Sequence, residues 1–135
     1  MFVALGLLFL VNGKLYELEN GVPNEVILMI EVDNETELAT QLKGNSNVLA
    51  LFYSSWCPFC RRFLGVFDKY AENPGSLVFM KVRIDEDENP LWETYSLDAV
   101  PSAILFKDGQ VHRRLDCVRG IGLTEEKFSK WLKTP

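Results

Sequence analysis

Val48-Leu49-Ala50-Leu51-Phe52-Tyr53-Ser54-Ser55-Trp56-Cys57-Pro58-Phe59-Cys60 is the stretch on which the reading of this chain turns. Its first six residues are an unbroken apolar, β-prone run, the pattern of a strand buried on both faces. Its last four carry two thiols separated by two residues and open a segment with helical periodicity. The first sulfur is therefore expected where a strand hands over to a helix N-terminus. Unpaired backbone N–H groups and the helix dipole favour an anion there, and a thiol whose free pKa is about 8.5 can fall to about 3.5–7.5.

Cys57 gains most from that placement, whereas Cys60 lies nearly one turn further in and is more shielded. Cys57 thus reads as the nucleophile and Cys60 as the resolving thiol of a dithiol/disulfide exchange that passes through a mixed disulfide. Pro58 suits a first helical turn, where a missing N–H loses no partner. Together with Phe59 it helps set redox poise and surface. Arg61 and Arg62 read as solvated helix charges.

Working outward, the chain alternates between two periodicities. Val26 to Val32 suits a buried strand, and Asn34 and Glu37 have capping-box spacing before a helix that buries Leu38 and Leu42 and stops at Gly44. Asn47 to Ser54 is a second strand. The helix from Cys57 to about Tyr70 should line one face with Phe63, Phe67 and Tyr70. Leu77 to Asp85 is a third strand, with Val78, Met80, Val82 and Ile84 on one face and Phe79, Lys81 and Arg83 on the other. Asn89-Pro90 begins a short helix. Ala103 to Phe106 and Val111 to Leu115 form a hairpin about Lys107-Asp108-Gly109-Gln110. A last helix from Thr124 should bury Phe128, Trp131 and Leu132. The order βαβαβαββα predicts an α/β fold, one central sheet flanked by helices on both faces.

Residues 1–25 are expected to form an N-terminal β extension to a domain spanning 26–135. Asn12-Gly13, between Phe9-Leu10-Val11 and Leu15-Tyr16, is a two-residue hairpin signal. The uncharged run Met1 to Leu10 also admits a targeting or anchoring remnant, although no basic residue precedes it and it is shorter than the roughly 18 residues a membrane span needs. A net charge of −5 offers no basic footprint for nucleic acid, so no nucleic-acid partner is expected. Three cysteines are too few for a disulfide-dense scaffold, and one must stay unpaired within a monomer.

The Trp-Cys-x-x-Cys core at Trp56 to Cys60, the strand Lys81 to Asp85, the Val100-Pro101-Ser102 step and the hairpin Phe106-Lys107-Asp108-Gly109 occur in the order and spacing of the thioredoxin family, which the chain resembles from about Val26 to Lys133. The resemblance implies the thioredoxin fold, a cis peptide bond before Pro101 beside the redox pair, and no cofactor beyond the redox-active disulfide. It also implies protein-disulfide substrates, with a reductase the expected direction. Electrons would come from a thioredoxin-reductase-type or small-thiol donor, to a protein acting as a monomer in the cytoplasm, with membrane anchoring or export as the alternative. Trp56, Phe59 and Val100 would form an apolar docking surface beside Pro101. Pro58-Phe59 between the cysteines is similar to the glutaredoxin pattern, but no paired glycines follow Pro101 as in a glutathione site.

One departure from the family stands out. A buried acid usually lies six residues before the first active-site cysteine, and here that position is Leu51. Lys81, that acid's partner in the family, is retained. It either reaches water along its apolar stem or, desolvated, takes some proton-transfer duty. Slower deprotonation of Cys60 is the expected consequence. Cys117 reads as a small buried hydrophobe and His112 as a surface residue on a strand. A metal module is disfavoured, because a structural zinc needs about four ligands and only Cys117 and His112 remain to join the pair. A glutathione-dependent oxidoreductase and a non-catalytic interaction domain remain the alternatives to protein-disulfide exchange.

Overall fold

The computed structural model describes residues 8–11, 14–25 and 29–134. The core of the fold is a five-stranded mixed sheet in the order β4-β6-β5-β7-β8. Its strands are β4 (Ile30–Val32), β5 (Asn47–Tyr53), β6 (Val78–Arg83), β7 (Ser102–Lys107) and β8 (Gln110–Leu115). β4, β6 and β5 run parallel, and β7 and β8 are antiparallel additions. Helices α1 (Glu35–Gly44), α2 (Pro58–Ala71) and α3 (Leu91–Thr94) connect successive strands from β4 to β7, and α4 (Glu125–Lys133) follows β8.

β5 is central, and its alternation sorts the two cores. Val48, Ala50 and Phe52 point to the face that packs with Leu38 and Leu42 of α1 and Leu91 of α3. Leu49 and Leu51 point to the opposite face with Phe63 and Phe67 of α2 and Phe128 of α4. The Phe128 ring meets Phe63 and Tyr70 edge-on, with centroids 5.2 Å apart in each case, a preferred aromatic geometry. The strand that separates two layers must be apolar on both sides, which is why residues 48–53 carry no charge.

Local signals set the element ends. The Asn34 side chain accepts from Glu37 N–H at 2.9 Å and starts α1, and the Thr124 hydroxyl accepts from Lys127 N–H at 3.2 Å and starts α4. Asp108 (φ 51°) and Gly109 (φ 80°) make the two-residue turn between β7 and β8. Pro90 caps α3 rather than entering it. Of the three residues expected inside α4's face, only Phe128 is fully buried. Trp131 and Leu132 are partly exposed, and the Arg113 guanidinium covers the Trp131 ring at 5.0 Å.

The N-terminal segment forms a separate antiparallel sheet of β1 (Leu8–Val11), β2 (Lys14–Glu19) and β3 (Val22–Glu25). β1 and β2 pair from Leu8 opposite Glu17 to Val11 opposite Lys14, the register of a hairpin about residues 12–13. Asn12 and Gly13 themselves, and Met1 to Leu7, lie outside the described residues, as do Val26 to Leu28 of the strand expected before α1. β3 goes beyond the single hairpin expected. It follows a second Asn-Gly pair, Asn20 (φ 53°) and Gly21 (φ 77°), and tolerates Pro23 because it is an edge strand.

Candidate active site

β5 delivers Ser54 to its C-terminal end, the chain turns through Ser55 and Trp56, and Cys57 becomes the N-cap of α2 with Pro58 in the first turn. The Cys57 side chain makes no capping hydrogen bond. Its thiol is directed instead at the carbonyl of Val100, 3.7 Å away. Val100 precedes Pro101 through a cis peptide bond, so the cis proline expected from the family resemblance is present at Pro101. Cys57 is 7% exposed, and Cys60, one turn into the helix, is 0% exposed. Both are free thiols.

Burial pushes the Cys60 thiol up to about 12. The N–H of Ser54, 3.5 Å from its sulfur, opposes the rise, and the neighbouring Cys57 adds to it. The family's usual acid would stand at position 51, and Leu51 is fully buried against the α2 and α4 aromatics instead. Leu51 pairs in register with Lys81 on β6. The Lys81 ammonium turns away to Asp68 on α2, at 2.8 Å, with 18% of its side chain exposed. Of the two expectations for Lys81, the geometry is that of a lysine reaching outward along its stem. Its partner, Asp68, was not among the expected site residues.

The mouth of the site is apolar. Trp56 is 55% exposed, with its indole N–H on the carbonyl of Asp85 at 2.9 Å. The Asp85 carboxylate receives both the N–H and the hydroxyl of Ser55 at 2.7 Å. Although burial opposes it, these bonds hold its carboxyl below the usual range. Asp85 thus clamps the turn that carries Trp56, a role its place at the end of an expected strand did not signal. Phe59 is half-buried, with the Arg62 guanidinium over its ring at 4.9 Å. Pro58 is exposed, and Arg61 and His112 are exposed as expected.

A loop missed at the sequence level completes the mouth. Residues 118–122 close on themselves, with Gly122 N–H donating to Val118 carbonyl at 2.8 Å and Val118 N–H returning to Gly122 carbonyl at 3.3 Å. The loop presents Ile121, 58% exposed, beside a cavity of about 380 Å³ lined by Phe59, Arg62, Val66 and Leu123. Gly122 has φ 83°, and a Cβ there would lie 3.0 Å from the Phe59 Cβ. Glycine is needed both for the backbone and for the close approach to Phe59.

Cys117, expected as a buried hydrophobe, is only partly buried and belongs to the same site. Its thiol donates to the carbonyl of Val100 at 3.4 Å, the carbonyl that Cys57 also faces. Burial first, then the nearby Cys57, raise its pKa, while the Gly122 N–H opposes the rise. A separate cavity of about 590 Å³ between α1 and the β7–β8 turn contains none of these residues. Among the described residues, no group of three or more His, Cys, Asp or Glu side chains is arranged to hold a metal ion.

The thioredoxin family model matches residues 29–134. The chain is 30% identical over 83 residues to the thioredoxin of Mycoplasmoides gallisepticum, covering 62% of this chain and 82% of that one. It is 33% identical over 81 residues to the thioredoxin of Chlamydia pneumoniae, covering 60% and 74%. The structure of a mutant thioredoxin from Halobacterium salinarum superposes with a TM-score of 0.64 at 27% identity, over 78% of this chain and 88% of that one. The chain belongs to the thioredoxin family. Its fold is the thioredoxin fold, and it is an enzyme, a thiol–disulfide oxidoreductase acting on protein disulfides.

Proposed function

We propose that Cys57 is the nucleophile and Cys60 the resolving thiol of a protein-disulfide reductase. One contrast carries this reading: Cys57 caps α2 with its side chain uncommitted to the helix and 7% exposed, while Cys60 is wholly buried. The Cys57 thiolate attacks one sulfur of the substrate disulfide, forming a mixed disulfide and expelling the other substrate sulfur as thiolate. Cys60, after losing its proton, attacks the Cys57 sulfur, which closes the Cys57–Cys60 disulfide and releases the second substrate thiolate. Two electrons pass from the enzyme to the substrate. A thioredoxin-reductase-type enzyme or a small thiol returns them, and no further cofactor takes part.

Trp56, Phe59 and Ile121 receive the substrate, with Val100 and Pro101 on the other side of the sulfur. Pro58 holds the first turn of α2. Lys81, tied to Asp68, takes no proton step in this scheme. The working unit is taken as a monomer, which size-exclusion chromatography of the reduced protein tests. No helix among the described residues is long and apolar enough to cross a membrane. The cytoplasm is taken as the working compartment, and fractionation of the native protein tests that assignment.

Dithiothreitol-driven reduction of insulin tests the roles. Wild type accelerates precipitation of the reduced chains, and Cys57→Ser falls to the uncatalysed background. A Cys57→Ser protein that keeps the wild-type rate overturns the scheme.

A further inference from the structure

Cys57 is not alone in facing the Val100 carbonyl. The Cys57 and Cys117 thiols share that single oxygen as acceptor, at 3.7 and 3.4 Å, so the third cysteine stands within the immediate surroundings of the first. They approach from different elements. Cys57 comes from the start of α2, and Cys117 lies just past the end of β8.

Cys117 is also presented in a way that suits exchange. It is partly exposed where Cys60 is sealed, and the residue borders a cavity of about 380 Å³ with Ser102, Arg114 and Asp116. Its backbone N–H is held by the Ser102 hydroxyl at 3.1 Å rather than by a strand partner, and the chain then enters the closed loop 118–122. Moving Cys117 toward Cys57 therefore breaks no ladder bond of the sheet. Cys60, by contrast, is wholly sealed from water and must shed its proton with a buried leucine, not a carboxylate, at position 51. A resolving step that is slow leaves time for a second thiol to act.

We infer that Cys117 is a third redox thiol of this site, able to attack the mixed disulfide on Cys57 and close a Cys57–Cys117 disulfide in place of Cys57–Cys60. The Cys117 thiolate forms the new S–S bond to the Cys57 sulfur, the bond between Cys57 and the substrate breaks, and the substrate sulfur leaves as thiolate. The electron count equals that of the ordinary cycle, so no additional oxidant is required. The proposal rests on Cys57 being the nucleophile, as set out above.

The test compares Cys60→Ser with the double variant Cys60→Ser/Cys117→Ser, each reduced and then given a single equivalent of the aromatic disulfide dithiobis(nitrobenzoate) at high dilution. In Cys60→Ser, attack by Cys57 releases one aromatic thiolate and closure by Cys117 releases the other, about two equivalents in all, leaving a monomer with a Cys57–Cys117 bridge in its peptide map. The double variant stops at about one equivalent and keeps the aromatic adduct on Cys57. One equivalent from both proteins, or a covalent dimer from Cys60→Ser, overturns the inference while leaving Cys57 as nucleophile. A double variant that releases no aromatic thiolate, its remaining Cys57 unreactive, sinks the underlying scheme instead. A Cys60→Ala background repeats the comparison in case serine disturbs the buried position.

Discussion

The floor and the mouth of the thiol site are built from opposite materials. Behind Cys57 lie Cys60 and Ser54, both sealed from water, with the Ser54 N–H on the Cys60 sulfur, and the position of the family's usual acid is filled by the equally buried Leu51. Around the mouth stand Trp56, Phe59, Val118 and Ile121, exposed or half-exposed and anchored by Asp85, Arg62 and the closed loop 118–122. The floor governs what it costs to ionise the Cys60 thiol. The mouth governs what can dock. Because they rest on different elements, changes to one should leave the other's signature in place.

The largest effect is expected from putting a carboxylate into the floor. Leu51→Asp removes a fully buried side chain from the α2–α4 core and should cost about 3 kcal/mol or more in denaturant unfolding. It should also move the pH dependence of the resolving step toward neutrality, read by single-turnover release of substrate thiol. An unchanged pH profile would break the claim that the floor lacks a proton acceptor. Gly122→Val attacks the mouth: the φ of 83° and the 3.0 Å approach to Phe59 predict a loss of about 2 kcal/mol and a raised KM for insulin. The alkaline titration of Cys60 should not move with it.

A smaller effect separates the redox states. The Cys60 thiol is raised in the folded protein to about 12, from an ordinary value of 9.0, so over that interval the unfolded chain ionises and the folded one does not. This contribution to stability is fully present below pH 9 and is lost as the pH rises toward about 12, by at most about 1.4 kcal/mol per pH unit. The oxidised protein has no such thiol. Urea unfolding of both forms should show the reduced one losing stability faster above pH 9, and parallel curves would contradict the sealed floor. The smallest change is expected from Trp56→Ala, which removes an exposed ring held by one hydrogen bond. A loss of about 1 kcal/mol of docking would appear as a roughly fivefold higher KM with kcat retained, and a fall in kcat instead would place Trp56 in the chemistry rather than the mouth.

Much of the fold was legible because its signals are local. The apolar run at 48–53 marks a strand covered on both faces, Asn34 and Thr124 mark caps, and Phe63 and Phe67 mark a helix face, each within a few residues. The edges were less legible. β3 begins with a proline-containing segment that carries no apolar alternation, and it is a strand because β2 offers it a partner edge. Within the site, the Cys57–Cys60 pair and Pro101 could be named in advance. Asp85, Asp68 and Gly122 could not, since each acts on a residue at least a dozen positions away or through a steric approach that no spacing encodes.

What the sequence by itself determined was the identity and order of the redox pair, the elements that carry it and the absence of an acid at position 51. Those are properties of neighbouring residues and their periodicity. Tertiary structure alone decided that Lys81 leaves the site for Asp68 and that Cys117, sixty residues from Cys57, shares the carbonyl of Val100 with it. The physical reason is that β7 and β8 fold back antiparallel beside β5, so the segments before β7 and after β8 arrive at the same end of the sheet as the start of α2. A cysteine that looked isolated along the chain becomes a neighbour of Cys57 only when that sheet closes.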